Sequence, residues 1–191
     1  MRRPGAGLAA LAALAVLATG ACAPPRLGQF EATLARHDSA TAALEDWCAA
    51  RRIAPEARVA ATTLADASAP GGAPGAAAAA RRRLGAGPGE PLGYRHVRLD
   101  CGGTALSEAY NWFVPARLTS DMNRALATTR LPFGKVTAPL GYRRERIESR
   151  RGAAEGCPAG TVLSHRALLR LPDGRALALV VECYTAANLG R

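Results

Sequence analysis

The chain has 191 residues, 49% hydrophobic and 21% charged, enough for one domain with a packed core and too few to divide comfortably into two. Its formal charge of +10 would suit nucleic acid, an anionic envelope surface or a small acidic ligand. The basic runs 81–83, 143–144 and 150–151 lack the interleaved aromatics of a single-strand platform, and His37, His96 and His165 are scattered with no CxxC nearby. Nucleic acid, metal and cofactor are therefore not expected.

The first 21 residues read as a secretory leader, with Arg2 and Arg3, an apolar stretch from Leu8 to Ala18, and small residues ahead of Cys22. That stretch is shorter than the roughly 20 residues of a membrane span. Thr19, Gly20 and Ala21 approach a lipoprotein processing pattern, which prefers a larger aliphatic residue where Thr19 stands. Lipidation of Cys22, with membrane attachment through it, and ordinary cleavage nearby are the two alternatives. Either predicts an exported protein, periplasmic or lipid-anchored to a bacterial membrane, with a charge of +8 once Arg2 and Arg3 leave. Export also argues against nucleic acid. It leaves Cys48, Cys101, Cys157 and Cys183 in an oxidising compartment, where one or two disulfides are expected and three complete pairings are open.

Beyond the leader, residues 27–52 predict helix, in two pieces if Asp38 or Ser39 caps a second segment starting near Ala40. Residues 57–65 predict a first strand. A loop rich in glycine and proline follows, interrupted by a short alanine and arginine helix around residues 75–84. GYRHVRLDC and ALSEAYNWFVP are strand-like runs joined by a glycine turn, and TSDMNRALATT is a short amphipathic helix opening at Thr119 or Ser120. PFGKVTAPLG predicts a short helix and turn. YRRERIESR alternates weakly, and TVLSHRALLRL with RALALVVECYT forms the clearest hairpin, turning at Pro172, Asp173 and Gly174. The sum is an α+β domain with one chiefly antiparallel sheet of about five strands and helices on one side.

Two charged residues interrupt apolar faces. Alternation groups Arg95 with Val97, Leu99 and Cys101, and Glu182 with Ala178, Val180 and Tyr184. The other face of the last strand, with Leu177, Leu179, Val181 and Cys183, is more apolar still, so cover on both sides of the sheet is consistent with the pattern. One reading is an inert ion pair between Arg95 and Glu182, or each residue lying at a wet margin of the sheet. The other is an internal cavity in which Arg95 meets a ligand carboxylate and Glu182 its hydroxyl, because buried ionic groups need partners and a ligand is one. Asn111 points toward the same cavity and Glu108 away from it. Arg146 either joins a basic pocket or is surface. Ser164 and His165, adjacent in a strand, face opposite ways, which disfavours a nucleophile pair.

The order GYRHVRLDCGG, LSEAYNWFVPARL, LPFGK and GRALALVVECYT resembles the chorismate pyruvate-lyase family, whose fold is shared by ligand-sensing domains of GntR-type regulators. The resemblance covers about residues 32–189. It implies six antiparallel strands with helices enclosing a cavity for a small aromatic or cyclic carboxylate. It also implies carboxylate binding by Arg95, a contact of Glu182 with the ring hydroxyl region during elimination, a helical flap near Ala40, and Phe133 in place of the family's ligand-facing leucine. Asn111 stands where the family has a second arginine, which removes one charged partner for a dicarboxylate. Three functions follow as expectations: an exported lyase acting through Arg95 and Glu182, a noncatalytic binder using Ala40, Arg95, Asn111, Phe133 and Glu182, and an envelope protein keeping only the fold.

Overall fold

The computed structural model describes residues 25–64 and 75–190; the leader, Cys22 and the stretch 65–74 lie outside the described residues. Two helices open the fold, α1 (Arg26–Ala35) and α2 (Ala40–Arg51). Ser39 separates them as the cap of α2: its backbone is extended and its hydroxyl accepts from the Ala42 N–H. Strand β1 (Val59–Thr63), helix α3 (Ala76–Leu84), strands β2 (Gly93–Cys101) and β3 (Thr104–Phe113), and helices α4 (Ser120–Thr128) and α5 (Phe133–Thr137) follow. The chain ends in strands β4 (Arg143–Arg151), β5 (Leu163–Arg170) and β6 (Ala176–Tyr184) and a short 3₁₀ turn. Thr119 is the residue that caps α4, accepting from Met122 N–H.

All six strands form one antiparallel sheet in the order β1-β2-β3-β6-β5-β4. This is one strand more than the alternation pattern yields. The β2–β3 hairpin turns at Gly102 and Gly103, both with positive φ, as a two-residue hairpin turn requires. The β3–β6 contact joins the two hairpins, so the last strand is central, paired on both edges and buried at every position.

Helices cover both faces, not one. On the first, Phe30, Leu34, Trp47 and Cys48 of α1 and α2 pack on Val97, Leu99, Ala109 and Tyr184, while α4 and α5 close the same face further along with Leu126 and Phe133. On the second, α3 lays Ala80 and Leu84 over Trp112, Leu179 and Val181. The one-sided expectation fails because the second face of β6 carries Leu179, Val181 and Cys183 and must also be covered. Leu177 departs from that face and packs with Ala178 and Phe113, since a register shift at Leu169/Arg170 breaks the alternation there.

Two disulfides tie the helices and loops to the sheet. Cys48–Cys101 joins α2 to β2, and Cys157–Cys183 joins the β4–β5 loop to β6. No described helix is long and apolar enough to cross a membrane.

Candidate functional site

The face beneath α2 and α5 carries the polar residues that the alternation singles out. Arg95 lies opposite Asn111 across β2 and β3, and Asn111 lies opposite Val180 of β6. Glu182 is one same-face position further along β6, opposite Ala109 on one side and His165 on the other. Glu108 points to the other face, where it accepts hydrogen bonds from Tyr110 and pairs with His96 at 2.7 Å. Ser164 also faces away, bonding the Ala154 N–H and the Gly152 carbonyl, so Ser164 and His165 do diverge.

The expected pairing of Glu182 with Arg95 is corrected by the structure. Glu182 is bound in bidentate fashion by Arg144 of β4, with Nη1 donating to Oε1 at 2.9 Å and Nη2 donating to Oε2. The Tyr184 hydroxyl donates to Oε2 at 2.8 Å. Both arginines are separated from β6 by one strand. Arg144 reaches Glu182 over the small Ala167 of β5, whereas Arg95, opposite Asn111 of β3, is directed to the Leu131 carbonyl. Burial alone would raise the Glu182 carboxyl, but the Arg144 charge and hydrogen bonds outweigh it and hold the carboxyl below its usual range. Burial likewise disfavours the charged Arg144, and Glu182 more than offsets it. This pair is ionised and fully engaged.

Arg95 is in the opposite condition. It is 8% exposed; its one hydrogen bond among the described residues is a long one from Nη1 to the Leu131 carbonyl at 3.4 Å, and its buried Nη2 has no partner. Burial lowers its pKa with no compensating anion. A buried cation in this state is costly, and a carboxylate would supply the strong acceptor it lacks. Asn111 is buried beside it on the neighbouring strand.

A cavity of about 30 Å³ separates this face from the helices, lined by Ala40, Asn111, Phe133, Arg144 and Glu182 together with Tyr142 and Gly134. Four of the five expected ligand residues therefore meet in one place, and Arg95 adjoins it through Asn111. Helix α5 comes this close because residue 134 is glycine: a Cβ there would stand 2.5 Å from the Ser39 hydroxyl oxygen. The volume is room for a water rather than for an aromatic ring. Beyond Arg144 a second cleft of about 210 Å³ opens between the α1–α2 connection and β4, with Arg36, His37, Arg146 and His165 on its walls. Arg146 thus does line a basic recess. His165 is buried with Nε2 unpartnered, and burial pushes its pKa down to about 4. Among the described residues no cluster of His, Cys, Asp or Glu is placed to hold a metal ion.

These features define an α+β protein whose sheet face carries one satisfied buried ion pair and one unsatisfied buried arginine. No protein-family model matches the chain. It is 37% identical over 201 residues to the uncharacterized protein y4mC of Sinorhizobium fredii, covering 95% of this chain and 78% of that one, and it belongs to the same family as that protein. Solved structures with a similar backbone course include PhnF from Mycobacterium smegmatis, at 14% identity and a TM-score of 0.48 over 80% of this chain and 66% of that one. YydK, a possible transcriptional regulator of Bacillus subtilis, shows 14% identity and a TM-score of 0.46; the match covers 68% of this chain and 60% of that one, so less than two thirds of YydK is spanned. A GntR-family transcriptional regulator from Enterococcus faecalis gives 9% identity and a TM-score of 0.42 over 68% of this chain and 91% of that one.

Proposed function

We propose that this is an exported, noncatalytic binding protein for small aromatic or cyclic carboxylates, with the ligand carboxylate held by Arg95 and Asn111. The observation that carries the reading is the buried Arg95 guanidinium, whose Nη2 has no partner among the described residues and whose Nη1 makes only a long bond to a carbonyl there. A carboxylate displacing the Leu131 carbonyl would replace that long single bond with a bidentate ion pair. Entry requires Phe133 and the segment around Leu131 to move outward, because the resting cavity of about 30 Å³ is smaller than a ring. Leu131 is 44% exposed, whereas Pro132 and Phe133 beside it are buried, so lifting this segment uncovers the contact of Phe133 with Phe113 and ligand burial must offset that cost.

Binding is favoured over pyruvate elimination because a proton-exchanging Glu182 would need freedom that Arg144 and Tyr184 deny it. Export is supported by two disulfides that use all four cysteines of the body, a pattern of oxidising compartments. The test is titration of the leaderless protein with 4-hydroxybenzoate and with chorismate, followed through the Asn111 side-chain amide resonance. Saturable shifts that weaken at least tenfold in Arg95→Ala support the proposal. Identical shifts in both proteins overturn it, and release of pyruvate from chorismate would replace it with the lyase reading.

A further inference from the structure

On the opposite face of the sheet the packing of α3 is unusual. The helix reads AAAAARRRL, and only Ala80 and Leu84 of it are buried. Beneath it lies an aromatic floor, with Trp112 between Tyr94 at 5.3 Å and Tyr110 at 6.5 Å. Alanine methyl groups are too short to fill the space between this helix and the aromatic side chains beneath it, whereas interiors are ordinarily close-packed. Space therefore remains on both flanks of α3: a pocket of about 400 Å³ floored by Tyr110, Trp112, Leu179 and Val181, and a second recess of about 380 Å³ that shares Trp112.

The rim of the larger pocket is cationic. The guanidinium groups of Arg82 and Arg83 on α3 are exposed and make no hydrogen bond or ion pair with the described residues, and that of Arg166 pairs with Glu148 at 3.3 Å. Glu155 is the one carboxylate on the lining. Trp112 is buried, and its Nε1–H is enclosed with no acceptor among the described residues. A floor of aromatic and branched side chains and a surplus of guanidinium groups fit a planar aromatic body bearing an anionic group.

We infer that this pocket between α3 and the sheet is a second ligand site, for planar aromatic anions, separate from the Arg95 site on the other face. The ring lies on Trp112 and Tyr110, and the anion is met by Arg82, Arg83 and Arg166.

The experiment uses 2-naphthoate as probe and the Arg95→Ala protein as background, so that the first site contributes nothing. Saturable quenching of tryptophan emission is expected. It should disappear in Trp112→Phe, which keeps Trp47 as the remaining fluorophore. The Arg82→Glu/Arg83→Glu double variant, altered only at exposed positions, should bind at least tenfold more weakly, and so should the neutral 2-naphthamide. Quenching that survives in Trp112→Phe, or affinity unchanged by the arginine reversals, overturns the inference. Equal binding of 2-naphthamide reduces the pocket to an apolar void and overturns it as well. Should Trp112→Phe fail to fold, the arginine reversals and the amide decide the matter alone.

Discussion

At the scale of single residues, two arginines on one sheet face differ in what surrounds them. Arg144 and Glu182 neutralise each other, and Tyr184 satisfies a further lone pair. Breaking such a pair by removing one charge is far more damaging than removing both. Glu182→Gln is expected to cost about 3–5 kcal/mol because it strands the Arg144 charge. The double variant Glu182→Leu/Arg144→Met should recover most of that loss. Urea denaturation of the three proteins checks this, and a double variant as unstable as Glu182→Gln would refute it. Arg95 and Glu182 were legible in the sequence because each breaks an apolar alternation. Their pairing was not, since alternation reports which way a side chain faces and says nothing about which strand lies alongside. Arg144 stayed hidden for a different reason. It sits in a weakly alternating edge strand, within a basic dipeptide that reads as solvated surface; the signal available was that Arg144 and Arg146 share a face while Ile147 turns to the other.

At the scale of elements, every helix and strand expected from the sequence among the described residues is present, and the differences lie in how they assemble. Strand β4 pairs only with β5 and carries a bulge at Arg146/Glu148, which spoils the period-two pattern from which a sixth strand could have been counted. Helix α3 was legible as a helix from its alanines, while its place on the opposite face depends on long-range packing. The disulfides show the same division: four cysteines predicted cross-links, and the fold selected one of three pairings. Their expected contributions follow from the loops they close. Cys48–Cys101 spans 53 residues and Cys157–Cys183 spans 26. Chain entropy assigns them about 4 and about 3.5 kcal/mol respectively. Replacing each pair by serines should therefore lower the urea midpoint in both cases, slightly more for the longer loop. A midpoint unmoved by losing Cys48–Cys101 would mean that α2 is held on the sheet by Phe30, Leu44 and Trp47 without covalent help.

At the scale of the whole molecule, acid sensitivity should originate where the two hairpins and the first helices converge. His165 lies across from Glu182, and its ring meets Tyr184 edge-on at a centroid distance of 5.4 Å. Burial lowers its pKa to about 4 from the ordinary 6.5; Glu182 and Glu31 pull upward, and Arg144 and Arg146 push down. The folded protein therefore holds this imidazole neutral while the unfolded chain protonates it. Between pH 6.5 and about 4 the unfolded state binds more protons, so stability rises with pH across that window and falls on acidification, by on the order of 3 kcal/mol in all. Glu182 acts lower. Its folded pKa lies below the ordinary carboxylate value, so its contribution is complete above about pH 4.5 and is lost as pH falls through the folded value. The two groups thus act in succession. Urea midpoints at pH 7, 5.5 and 4 should fall progressively in the native sequence, and His165→Phe, which fills the same buried place without a titrating nitrogen, should flatten the decline between pH 6.5 and 4 while leaving the fall below pH 4 intact. A decline of the same slope in His165→Phe would place the acid-sensitive group elsewhere and separate the acid response from the junction of the two hairpins.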